Sequence, residues 1–132
     1  MKNLMLFALL LISVIGFSQT ASVVGSVKPD VAVAAFDAQN FNFGKIKQGV
    51  PATHEFSFTN KSNVPMVITN VQASCGCTTP DWSREAILPG GKGFVKATYN
   101  AANAGNFDKS ITVMANVEGG TVVLRIHGEV AP

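Results

Sequence analysis

From Phe36 to the C-terminus the chain is written in period two. Short segments alternate apolar and polar residues, clusters of Gly, Pro and Asn punctuate them roughly every 8 to 15 residues, and no stretch repeats at the helical period. Such a chain is confined to an all-β fold. In "THEFSFTN", Phe56 and Phe58 share one face while Glu55, Ser57 and Thr59 take the other, and Asn60-Lys61-Ser62-Asn63 makes a turn. In "VPMVITNVQA", Val64, Met66 and Ile68 lie on one face. Val71 and Ala73 break that parity after Asn70, which predicts a bulge or a strand that changes sheets. Pro89-Gly90-Gly91-Lys92-Gly93 forms a turn before "FVKATYN", with Val95, Ala97 and Tyr99 inward. Ile111, Val113 and Ala115 then face Val122, Leu124, Ile126 and Val130 across a hairpin at Glu118-Gly119-Gly120.

About seven strands in this length fit a sandwich of two sheets whose inward faces form one core, with a closed barrel as the alternative. The expected core is Phe56, Phe58, Ile68, Val95, Tyr99, Ile111, Val113, Leu124 and Ile126, with Arg125 and His127 at least partly exposed.

The N-terminus obeys a different pattern. One lysine precedes an apolar run from Leu4 to Phe17, 14 residues long, followed by small and polar residues. This is the grammar of an export signal, expected as a helix over residues 1–18, with Gly16 and Ser18 at the −3 and −1 positions of a cut before Gln19. The run is shorter than the roughly 20 residues a membrane-spanning helix needs, and no second apolar stretch follows, so no membrane insertion is expected after cleavage. Removing 18 of 132 residues leaves 114, enough for one domain. Residues 19–35 read as a flexible linker or a loosely held first strand, and residues 36–132 as the sandwich. Without Lys2 the formal charge drops from +2 to +1, and the remaining lysines are scattered, so nucleic acid is not an expected partner.

The segments "FNFGKIKQG", "HEFSFTNKSNVPMVITNVQASCGCTTP", "ILPGGKGFVKATYN", "GNFDKSITVMAN" and "LRIHGEV" occur in the order of an exported bacterial family. Over about residues 36–130 the chain resembles domain of unknown function 1573 and, more broadly, Hydin-like and major-sperm-protein-like immunoglobulin folds. "SCGCT" is the most specific of these segments. The resemblance implies an immunoglobulin-like β-sandwich in an exported protein and assigns no activity.

Both cysteines, Cys75 and Cys77, lie in that segment, ahead of the turn-prone Thr-Thr-Pro-Asp run and Trp82. An oxidising compartment and an even thiol count favour a disulfide. Extended residues two apart have Cα atoms about 6.5 to 7 Å apart, at the upper limit of disulfide reach, so the backbone must curl, and Gly76 is the residue expected to allow it. A three-residue loop contributes only about 1.6 kcal/mol by chain entropy, so the bond is a weak staple. A redox pair is the second reading, although no Lys, Arg or His lies within six residues of either cysteine to lower a thiol pKa. A soft-metal site is the third, and it needs further ligands from His54, His127, Met66 or Met114, none at a ligand-like spacing.

Other signals point to structure. "PGGKG" lacks the order and the helix of a phosphate loop, and no G-x-S-x-G element is present. Trp82 is either the cap of a core end or an exposed contact residue. Asn60-Lys61-Ser62 matches a glycosylation acceptor, which carries no weight in a bacterial-type exported chain. The expectation is a non-enzymatic exported module, in the periplasm or at the cell surface, with no cofactor and with a protein or cell-envelope component as partner. The competing expectation is a soft-metal or thiol-redox protein centred on Cys75 and Cys77.

Overall fold

The computed structural model describes Gly16 and residues 31–132, so the rest of the expected export signal and residues 19–30 lie outside the described residues. Eight strands run in chain order: β1 (Ala34–Phe36), β2 (Asn40–Lys47), β3 (Ala52–Asn60), β4 (Ile68–Ala73), β5 (Thr78–Trp82), β6 (Lys92–Tyr99), β7 (Gly105–Ala115) and β8 (Thr121–Ala131). They form two four-stranded sheets, ordered β1-β3-β6-β5 and β2-β8-β7-β4. All pairings are antiparallel except that of β2 with β8. The result is an immunoglobulin-like sandwich rather than a closed barrel.

Alternation along the strands produces the core directly. Each strand sends every second side chain inward, and all nine residues expected in the core are buried, Val95, Ile111, Val113, Leu124 and Ile126 completely. Arg125 stays exposed and His127 half-buried. Parity breaks in β4 where expected, because the register with β7 shifts between Ile68 and Asn70. Asn70 Oδ1 accepts a hydrogen bond from the Val71 amide there, at 2.9 Å. The β7–β8 hairpin turns through Gly119 and Gly120 at φ of +75° and +78°, which a side chain would strain.

Asn60 ends β3 as a buried polar hub. Its side-chain amide donates to the Val64 and Ile87 carbonyls at 2.8 and 2.9 Å, and its Oδ1 accepts from the Ser62 amide and hydroxyl at 3.0 and 2.6 Å. Its backbone amide and carbonyl bond Gly91 and Gly90. One residue thus ties the end of β3 to the segment 62–64 and to the turn before β6. Every polar group of Asn60 has a partner, so burial costs the fold little.

One expectation is corrected. The Thr-Thr-Pro-Asp run is not a turn: residues 78–82 form β5, with Pro80 opposite Ala97. Pro is tolerated because β5 is an edge strand and has no second neighbour requiring its amide. The eight strands agree with the expected count of about seven. Strand β1 starts at Ala34, within the segment expected as a linker or a loosely held first strand, and Ala32 before it is buried and donates its amide to the Asn116 carbonyl at 2.7 Å.

Candidate functional site

The chain changes sheets between Ala73 and Thr78, and the cysteines lie in that crossover. Cys75 and Cys77 are disulfide-bonded, with Cα atoms 5.3 Å apart. The backbone curls as the chemistry of a two-residue separation requires, and the Thr78 amide donates to the Cys75 carbonyl at 3.4 Å. Gly76 plays a different part from the one expected. Its φ lies outside the left-handed region, and a Cβ there would meet nothing within 4 Å. The curl therefore does not depend on glycine.

Hydrogen bonds hold the crossover on both sides. The Ser74 amide bonds the Ser110 carbonyl on β7 at 2.9 Å, and the Ser110 amide bonds Ser74 Oγ at 3.2 Å. On the other side the Asn100 amide, just past β6, bonds the Cys77 carbonyl at 2.9 Å. The disulfide is added to a loop already fixed.

Burial is uneven across this loop. Gly76 is exposed and both cysteines are half-buried, but Cys77 packs against the core. Thr78, the first residue of β5, is 4% exposed. Its hydroxyl sits 3.9 Å from Cys75 Sγ and 4.0 Å from Cys77 Sγ, and it meets no nitrogen or oxygen partner among the described residues. Reading the Thr-Thr-Pro-Asp run as a turn hid this residue. The β-branched Thr-Thr pair was the signal for a strand, which would have placed Thr78 inward.

The other candidates stand apart. Trp82 closes the far end of β5, about 13 Å from Thr78 by strand rise. It is half-buried against the core, and the Arg84 guanidinium lies 3.5 Å above its ring while reaching Asp81 at 3.6 Å. His54 lies flat on Phe41 of the opposite sheet, ring centroids 3.6 Å apart, with Phe56 edge-on at 4.7 Å. Burial lowers its pKa below 6.5, and the Glu55 charge opposes this more weakly. His127 is on β8, beside Arg125, which holds Asp108 by two hydrogen bonds of 2.8 and 3.2 Å. These bonds keep the Asp108 carboxyl below its ordinary pKa. Met66 is buried in the core and Met114 lies on β7. The structure thus joins Cys75 to Cys77 and brings none of the proposed extra ligands to them, and no group of three or more His, Cys, Asp or Glu side chains suited to a metal forms among the described residues.

Sandwiches of this form recur in solved structures. A protein of unknown function from Porphyromonas gingivalis W83 matches at a TM-score of 0.68 and 15% identity over 77% of this chain. The chain spans 48% of that protein, about half its length. The ASH / PapD-like domain 7 of human CEP192 matches at 0.62 and 8% identity, covering 74% of this chain and 84% of that one. The VesB protease of Vibrio cholerae matches at 0.60 and 15% identity, over 76% of this chain and 32% of the protease. At such identities the likeness shows the fold alone, an immunoglobulin-like β-sandwich. Residues 34–130 match the model of one family, described as "Protein of unknown function (DUF1573)", and the chain belongs to it. Among proteins of curated function, none matches this chain by sequence.

Proposed function

We propose that this chain is an exported, non-enzymatic β-sandwich module that holds a protein or a component of the cell envelope through a sheet edge. The observation that carries this reading is β2, an eight-residue edge strand bonded along one side to β8 in two stretches on either side of a bulge at residues 43 and 44. An extended peptide added to such an edge gains main-chain hydrogen bonds at little cost in ordering the host. The other edges are poorer hosts. β1 has three residues, β5 has five and carries Pro80, and β4 has six, with the segment before it already bridged from Met66 to Ile87. On β2 the exposed Lys45 and Lys47 discourage pairing with a second copy by like-charge repulsion and favour a partner strand bearing carboxylates.

Export is supported by the apolar run from Leu4 to Phe17 and the small residues Gly16 and Ser18. The test combines fractionation with site-specific photo-crosslinking in a bacterial host. The secreted form should begin at or near Gln19, and a photoreactive group at Lys45 should give discrete adducts that one at Thr98, on the opposite sheet, does not. Recovery of the intact chain in the membrane overturns the export reading; equal labelling from both positions overturns the β2 surface.

A further inference from the structure

We propose that Cys75 and Cys77 form a thiol–disulfide exchange site that oxidises a dithiol of another polypeptide, with the Thr78 hydroxyl receiving the thiolate it releases. The juxtaposition behind this is a buried hydroxyl whose side-chain partners, among the described residues, are the two sulfurs of one disulfide. Disulfide sulfur is a weak acceptor, so Thr78 is poorly satisfied in the oxidised chain. A thiolate is a strong acceptor, and a hydroxyl beside it stabilises the charged form. The Thr78 site therefore favours the reduced state. A group that served only packing would be an apolar side chain here, since a buried hydroxyl without a strong partner costs stability.

Three further features suit exchange. The bond closes a loop of three residues, so breaking it removes little chain-entropy stabilisation. Hydrogen bonds from β7 and Asn100 hold the crossover whether or not the sulfurs are joined. The bond is not sealed from solvent: Gly76 is exposed, both cysteines are only half-buried, and no atom outside residues 75–77 lies within 4 Å of where a Gly76 Cβ would stand.

The two sulfurs are not equivalent. Both cysteines are half-buried, but Cys77 packs against the core, next to Thr78, and Cys75 does not. The partner's thiolate attacks Cys75 Sγ, the Cys75–Cys77 bond breaks, and Cys77 leaves as a thiolate that accepts the Thr78 hydroxyl proton in a hydrogen bond. A mixed disulfide now joins the partner to Cys75. The partner's second thiolate attacks its own sulfur in that bond and frees Cys75, which takes a proton from water. Two electrons have passed from the partner's dithiol to this chain, the partner holds a new disulfide, and the exchange is stoichiometric, one bond per chain.

The experiment uses the secreted full-length protein and a reduced, unstructured peptide with two cysteines as the probe. Folded wild-type protein should oxidise the peptide, losing one disulfide per chain while its circular dichroism stays unchanged; a peptide left reduced overturns the proposal. In glutathione redox buffers, Thr78→Val should move the equilibrium about tenfold towards the disulfide, equivalent to ~30 mV, while Thr78→Ser stays close to wild type. Alkylation of the reduced protein against pH should show a higher thiol pKa in Thr78→Val. Equal equilibria and equal pH profiles for Thr78→Val and wild type also overturn the proposal. These readouts do not involve β2, so failure here leaves the binding reading standing and its failure leaves this one.

Discussion

The ring of Phe58 on β3 covers the Cα of Gly93, its register partner on β6. A Cβ at position 93 would clash with the Cζ end of that ring, with both Cε atoms 2.9 Å away. Phe58 is buried at 1% exposure and meets the tilted ring of Phe36 at 4.9 Å between centroids, so it has little free space to move into. Gly93→Ala should therefore destabilise the fold by about 2 to 3 kcal/mol, the upper range of overpacking in a dense core. Chemical denaturation checks this. In Phe58→Leu the added methyl should cost clearly less, giving a non-additive cycle; additive losses would show that the ring is not what the methyl meets.

Asn60 supports a second expectation. Replacing its amide by a carboxylate in Asn60→Asp turns two donors into acceptors that face the Val64 and Ile87 carbonyls in a fully buried site. The loss should reach about 3 to 5 kcal/mol near neutral pH, the scale of an uncompensated buried charge. The carboxyl pKa in the folded variant should be raised, so the deficit relative to wild type shrinks as the pH falls and the group protonates. A pH-independent deficit would contradict this account. The same burial makes Asn60 unavailable as a glycosylation acceptor in the folded chain.

The contrast between Phe58 and Asn60 shows what was legible in the sequence. Phe58 follows the period-two rule, and so do the other eight expected core residues; alternation fixes which face is buried whatever the partner strand. Gly93 and Asn60 obey no such rule. Their roles depend on which strand lies opposite and on carbonyls far along the chain, at Ile87 and in the 90–91 turn. Pro80 shows the opposite failure: a local turn preference gave way to an edge position that no local pattern encodes. The site was legible as a cysteine pair. Thr78 became visible only when β5 turned its hydroxyl inward.

His54 gives a third expectation, on acid stability. Burial holds its imidazole below the ordinary value of 6.5, so on acidification the unfolded chain binds a proton before the folded chain does. The stabilisation is complete above pH 6.5 and is lost as the pH falls from there through the folded pKa. Glu55, which opposes the shift, and Asp37, which lines the same recess, face the imidazole from its surroundings. Urea midpoints of wild type should drop between pH 7.5 and the acid side of that window, and His54→Gln should be flatter across it. Parallel curves would remove His54 as the source.

The crossover itself supports the last expectation, in which local geometry decides between loop and staple. The Gly76 φ is one that alanine adopts, and a Cβ there meets open space. Gly76→Ala should therefore be neutral, or stabilise by up to about 1 kcal/mol by restricting the unfolded chain. The double change of Cys75 and Cys77 to serine should cost no more than about 2 kcal/mol, because three residues close little entropy and the loop is held by Ser74, Ser110 and Asn100. Melting the oxidised, reduced and doubly substituted proteins side by side measures this. A loss of about 4 kcal/mol or more would mean that the bond, rather than the hydrogen bonds around it, holds the crossover. Reduction would then unfold this end of the sandwich, and exchange without loss of structure would be ruled out.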